Sequence, residues 1–98
     1  MEKNNLVITE TLVGLEFLEA LTKVIEIRVD RRKQYGDTFL EDDDIFLRVQ
    51  LENKLKRLKL QFEGDVISKD EQKRLTALDS LKDLCNYAIF MIAKLEKV

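Results

Sequence analysis

The chain has no proline, no histidine and no tryptophan, and only three glycines and one cysteine among 98 residues. With so few turn residues, a sandwich or barrel of many short strands is excluded, and long helices with few connections are expected. Lack of histidine removes the commonest general acid–base group and the commonest metal ligand. Cys85 has no second cysteine to pair with, which fits a reducing compartment, and without histidine it leaves no ligand set for zinc. A basic excess is missing as well. The formal net charge is −2, which argues against binding along duplex nucleic acid, so any anion site must be a local pocket. No apolar run is long enough to cross a bilayer and no basic-then-apolar leader opens the sequence, so a cytoplasmic protein with no membrane partner is expected.

What is present is apolar (45%) and charged (37%) residues in helical alternation. Residues 1–98 read as a single helical domain, because a chain this short rarely holds two cores. A first helix is expected from Thr9 or Thr11, either able to cap it, to Tyr35, with Gly36 just past its end. On a wheel of ~100° per residue, Val13, Phe17, Leu18, Ala20, Leu21, Val24, Ile25 and Ile27 share one arc, and Glu16, Glu19, Lys23, Glu26 and Asp30 the other. The apolar arc is wider than one core needs, and a homo-oligomer is the economical explanation.

After a connection ending in Asp42 or Asp43 as N-cap, a second helix runs from Asp44 to Glu63 and stops at Gly64. Leu47, Leu51, Leu55, Leu58 and Phe62 recur as in a coiled-coil seam, with Gln50, Lys54, Arg57 and Gln61 beside them. Ser68 and Glu71 form a capping box for a third helix, which continues to the end of the sequence, either unbroken or with a break near Thr76 to Asp79. Its core face reads Ala77, Leu78, Leu81, Leu84, Cys85, Ala88, Met91, Ile92 and Leu95. The expected fold is all-α, three long helices in an antiparallel bundle assembled as a homo-oligomer.

Chemistry concentrates in three places. Arg28 falls mid-arc among core positions, where its permanent charge needs an anion: an internal carboxylate such as Asp83, or a ligand. Arg31, Arg32 and Lys33 suit the negative end of the helix dipole, and Tyr35 lies on the same side. Lys54 and Arg57, three residues apart, are either a phosphate clamp or a solvated face. On the last helix, Asp79 and Asp83 are one turn apart and suit either Mg²⁺ or the arginines, while Asn86 and Tyr87 suit a base or a sugar. Glu16, Glu19, Glu41 and Asp44 match the outline of a metal motif, but the first two lie on the solvated arc and the last two in a connection and cap, so they do not converge on an interior point.

Gln34-Tyr35-Gly36, Lys54-x-x-Arg57-Leu58 and Asp79-Ser-Leu-Lys-Asp83-Leu-Cys-Asn86-Tyr87-Ala88 occur in an order that resembles the small helical nucleotide-modification-associated domains of phages and bacteria. The resemblance covers roughly residues 28–95. It implies a nucleotide site at Arg31 or Arg32, Tyr35, Lys54, Arg57, Asp83, Asn86 and Tyr87. Gln34 departs from the acidic residue usual there, and Phe39 stands near the usual tryptophan. The last helix is distantly similar to that of MazG-like all-α pyrophosphohydrolases, but Lys54 and Arg57 stand where those enzymes carry metal-binding acids.

The expectation is a non-enzymatic nucleotide-binding protein without cofactor, catalytic residue or resident metal. By analogy it resembles a phage sponge that sequesters a nucleotide or cyclic-nucleotide signal of host defence, acting in the host cytoplasm. Arg28→Ala and Arg57→Ala are then expected to weaken binding without unfolding the chain. One alternative is a nucleotide pyrophosphohydrolase or modification enzyme using Mg²⁺ at Asp79 and Asp83. The other is a structural or protein-interaction bundle.

Overall fold

The structure, a computed structural model, describes residues 7–62 and 70–97. These residues are all-helical, and their elements are α1 (Glu10–Val13), α2 (Leu15–Tyr35), a 3-10 turn (Thr38–Leu40), α3 (Asp44–Gln61) and α4 (Glu71–Glu96). The expected Gly64 stop and the Ser68 capping position fall outside the described residues.

The first expected helix is two helices. Gly14 sits at φ 89°, ψ 151°, a conformation that only glycine adopts readily, and it breaks the run between α1 and α2. Thr9 precedes α1 as the N-cap residue but makes no side-chain capping bond. Gly36 ends α2 at φ 59°, ψ −139°, and its N–H donates to the Arg32 carbonyl at 2.8 Å. Asp43 caps α3 by accepting from the Ile45 N–H. Asp70 caps α4 by accepting from the Gln72 and Lys73 N–H groups at 3.0 and 3.2 Å, so Glu71 is the first helical residue and not the third that the expected capping box required. Of the two forms open for the last helix, unbroken or broken near Thr76 to Asp79, the structure has the unbroken one. α4 is continuous, and the Thr76 hydroxyl donates to the Gln72 carbonyl one turn back without interrupting it.

α4 is the central element. α3 packs along it in the opposite sense, since Lys94 pairs with Asp44 at one end and Asp83 with Lys54 further along. α2 touches α4 over a shorter stretch. The core between α3 and α4 is Leu47, fully buried, with Leu58 and Ala77. Burying a leucine side chain contributes roughly 2–3 kcal/mol.

The leucine seam of α3 is only partly right. Leu55 and Phe62 are 54% and 51% exposed, while Gln50, Lys54 and Gln61 are half-buried. Steps of four, four, three and four average more than the ~3.6 residues of a helical turn, so the seam rotates away from α4. On α4, Ala77 is buried and Leu78, Leu84, Ala88 and Met91 are half-buried as expected, but Leu81, Cys85, Ile92 and Leu95 are exposed. Buried Ser80 and Asn86 take core places instead. α4 carries more apolar surface than α3 and a short stretch of α2 cover.

No residue of α2 is buried. The radius of gyration is 15.6 Å, against about 12.6 Å for a compact chain of this length.

Candidate functional site

The C-terminal end of α2, the segment from Gly36 to Asp43 and the second half of α4 meet around a cavity of about 570 Å³. Arg28, Arg31, Tyr35 and Gly36 wall it from α2 and its end, Thr38, Phe39 and Asp42 from the connection, Phe46 from α3, and Asn86, Tyr87 and Phe90 from α4. The volume falls within the range of small-molecule sites.

An aromatic layer forms one wall. Phe39 and Phe90 stack with ring centroids 4.4 Å apart, and Tyr87 meets Phe90 edge-on at 5.8 Å. The Arg28 guanidinium lies 5.2 Å from the Phe39 centroid and 5.1 Å from that of Phe90. These are cation–π distances. The anion that Arg28 needs is Asp37, not Asp83. Its Nη2 donates to Asp37 Oδ1 at 2.6 Å, and its Nη1 donates to the Gly36 carbonyl at 3.3 Å. Arg32 donates to the same carboxylate through Nε at 3.0 Å and Nη2 at 3.1 Å. Two arginines one helical turn apart therefore hold the segment just past the helix end. Hydrogen bonding to Arg32 holds the Asp37 carboxyl below its ordinary range, with the Arg28 charge adding to it, and Asp37 in turn raises the Arg32 guanidinium. At the far end of the connection, Lys94 donates to the Asp42 carbonyl and pairs with Asp44 at 3.3 Å.

Asp83 is the hub of a second cluster. Arg31 reaches its Oδ1 at 3.2 Å from α2, and Lys54 reaches its Oδ2 at 3.3 Å from α3. Both oxygens are engaged by cations. Buried Asn86 donates from Nδ2 to the Val24 carbonyl at 3.4 Å and the Lys82 carbonyl at 3.2 Å, tying α4 to α2 behind the cavity.

Of the residues singled out by sequence, Arg28, Arg31, Tyr35, Asn86 and Tyr87 line the cavity. Lys54 and Asp83 stand one ion pair behind Arg31. Arg32 is taken up by Asp37. Arg57 is exposed and outside the cavity wall, while Lys54 turns inward to Asp83, so the two do not form the clamp their spacing suggested. Asp79 is exposed, and among the described residues no cluster of three or more His, Cys, Asp or Glu side chains is placed to hold a metal ion.

Sequence reasoning missed Asp37, Asp42, Thr38 and Phe46. For Asp37 a signal existed: an acid one residue past the helix-ending glycine is within reach of last-turn arginines. Asp42 and Phe46 carry no such mark, because their place depends on how the connection folds back. Among the described residues no helix is long and apolar enough to cross a membrane. Comparison of the chain with protein families, curated proteins and solved structures finds no match.

Proposed function

We propose that this cavity binds a nucleotide, with its phosphate at Arg31 and its base against the aromatic wall. The observation that carries the reading is one cavity lined by two arginines together with Tyr35, Phe39, Phe46, Tyr87 and Phe90. Aromatic rings suit the π-face of any base, and guanidinium groups suit a phosphate. Arg31 is the cation able to turn to a ligand. It is half-exposed, and Asp83 keeps Lys54 as a partner when Arg31 leaves. Arg28 is committed to Asp37 and the phenylalanines, so it shapes the wall and supplies field. Asp42 and Asn86 offer oxygens to an amino group or a sugar hydroxyl.

On this reading the chain holds its ligand without turning it over, the mode in which a phage protein sequesters a nucleotide signal of host defence. Of the residues that the likeness to nucleotide-modification-associated domains implies, Arg31, Tyr35, Asn86 and Tyr87 line the cavity, while Lys54, Arg57 and Asp83 stand outside it. The hydrolase alternative needs Mg²⁺ at Asp79 and Asp83, and a carboxylate already shared by Arg31 and Lys54 is a poor metal ligand.

Calorimetry with linear and cyclic nucleotides, and with inorganic phosphate as control, tests the proposal. Binding at about 1–100 µM is expected for one nucleotide class, and Arg31→Ala or Tyr87→Ala is expected to weaken it about tenfold or more, or about 1.4 kcal/mol. Arg57→Ala is expected to leave it unchanged. Absence of heat with every nucleotide refutes the reading.

The interaction-bundle reading is favoured by a different observation, the exposed apolar surface of α2, where Phe17 is 60% and Ile25 and Val29 are each 48% exposed. We propose that the antiparallel bundle is completed in a homo-oligomer, which is compatible with the cavity binding a ligand.

A further inference from the structure

We infer that a second copy of the chain packs on α2, antiparallel to it, about a two-fold axis at Ile25. α2 is covered by α4 on one side only. The side left open carries exposed Ile25 and Val29 in line with half-buried Leu18 and Leu21, spaced by three and four residues as in a helix-packing stripe. Ile25 and Val29 are exposed, and a shallow groove joins Ile25 to exposed Ile89 of α4, so the apolar surface continues across both helices.

Charge identifies the occupant and its direction. In the first part of α2, Glu16, Glu19 and Glu26 against Lys23 give −2, while from Arg28 to Lys33 four bases against Asp30 give +3; Arg28 and Arg32 pair with Asp37 and Arg31 with Asp83, so Lys33 is the base here without an ion pair among the described residues. A helix with one acidic and one basic half is complementary to itself only when reversed. α2 spans Leu15–Tyr35, so Ile25 is its midpoint. In that register Leu21 of each copy meets Val29 of the other, Ile25 meets its own counterpart, and Glu19 falls opposite Arg31 and within a turn of Lys33 of the second copy. A two-fold contact between identical patches is the commonest way for a protein to self-associate. The area suffices. The chain exposes 8037 Å², about 2,200 Å² more than a folded monomer of its mass, and a standard interface takes about 800 Å² from each partner.

Sedimentation equilibrium on the full chain over about 1–200 µM tests this. The wild type is expected to be a dimer. Ile25→Asp and Val29→Asp are each expected to weaken association at least about tenfold while circular dichroism stays helical. Glu19→Lys is expected to weaken it, and Glu19→Lys with Lys33→Glu to restore it. If one apolar variant unfolds, the other and the charge pair carry the test. A wild type that stays monomeric overturns the inference. So does a dimer that survives both apolar variants, or one lost instead in Leu81→Asp or Ile92→Asp, which places the contact on α4. So does a double charge variant no better than Glu19→Lys, because it removes the antiparallel register. Mass is read without ligand, so this outcome is independent of nucleotide binding.

Discussion

Arg28 shows how a residue is legible before its partner is. Its place on the apolar arc demanded an anion, and an anion is there. The carboxylate is Asp37, nine positions along the chain, because Gly36 turns the backbone sharply and brings the next side chain under the guanidinium. Asp83, the carboxylate suggested by the sequence, is occupied by Arg31 and Lys54. The lowered Asp37 carboxyl has a signed consequence. A group whose pKa is depressed on folding stabilises the fold above its ordinary range, here 3.8, and that contribution is lost as pH falls through the lowered value. Glu71, lowered by its hydrogen bond to Arg74, behaves in the same sense. Thermal melts of Asp37→Asn are therefore expected to show lower stability than wild type at pH 7 and a shallower decline on acidification below pH 4, with Glu71 keeping some of that decline. An unchanged acid limb would mean that the Arg28–Asp37–Arg32 cluster contributes nothing to the fold.

At the scale of elements, helix identity was readable and helix facing was not. The 3.6-residue periodicity located the long helices, and Gly36 and Asp43 marked ends that the structure keeps. Gly14 was passed over because a single glycine inside an apolar pattern is tolerable in a helix, and nothing local shows that it is used for a break. The α4 face was misread because Leu81, Cys85, Ile92 and Leu95 are as apolar as the residues that pack. Which stripe is covered depends on where α2 crosses. The two glycines differ in what they hold. Both sit at positive φ with open space where a Cβ would lie, so backbone strain alone opposes substitution. Gly36→Ala is expected to destabilise the chain by about 1–3 kcal/mol, because the Asp37 cluster keeps the turn in place. In Gly14→Ala, α1 and α2 are instead expected to merge into one helix with a gain in helicity, because α1 has little packing to oppose it. Circular dichroism and thermal melts distinguish the two, and a loss of helicity in Gly14→Ala contradicts this view of the break.

For the whole molecule, the chain places two arginines and five aromatic rings around one cavity and leaves apolar residues of α2 exposed. The wide apolar arc in the sequence already announced the open face. The cavity was half legible: Arg31, Tyr35, Asn86 and Tyr87 stood out by chemistry and spacing, whereas Asp42 and Phe46 enter through the path of the connection. The proposal built on these two features is a small helical protein that binds a nucleotide as an oligomer. The chain's only tyrosines, Tyr35 and Tyr87, line the cavity, so their ring signals report on the site. Nuclear magnetic resonance of the tyrosine rings during nucleotide titration is therefore the most direct measurement. The account predicts that both rings shift in a saturable way with one nucleotide class and not with inorganic phosphate. Tyrosine signals that stay fixed up to about 5 mM of every nucleotide, far above a useful dissociation constant, would contradict it.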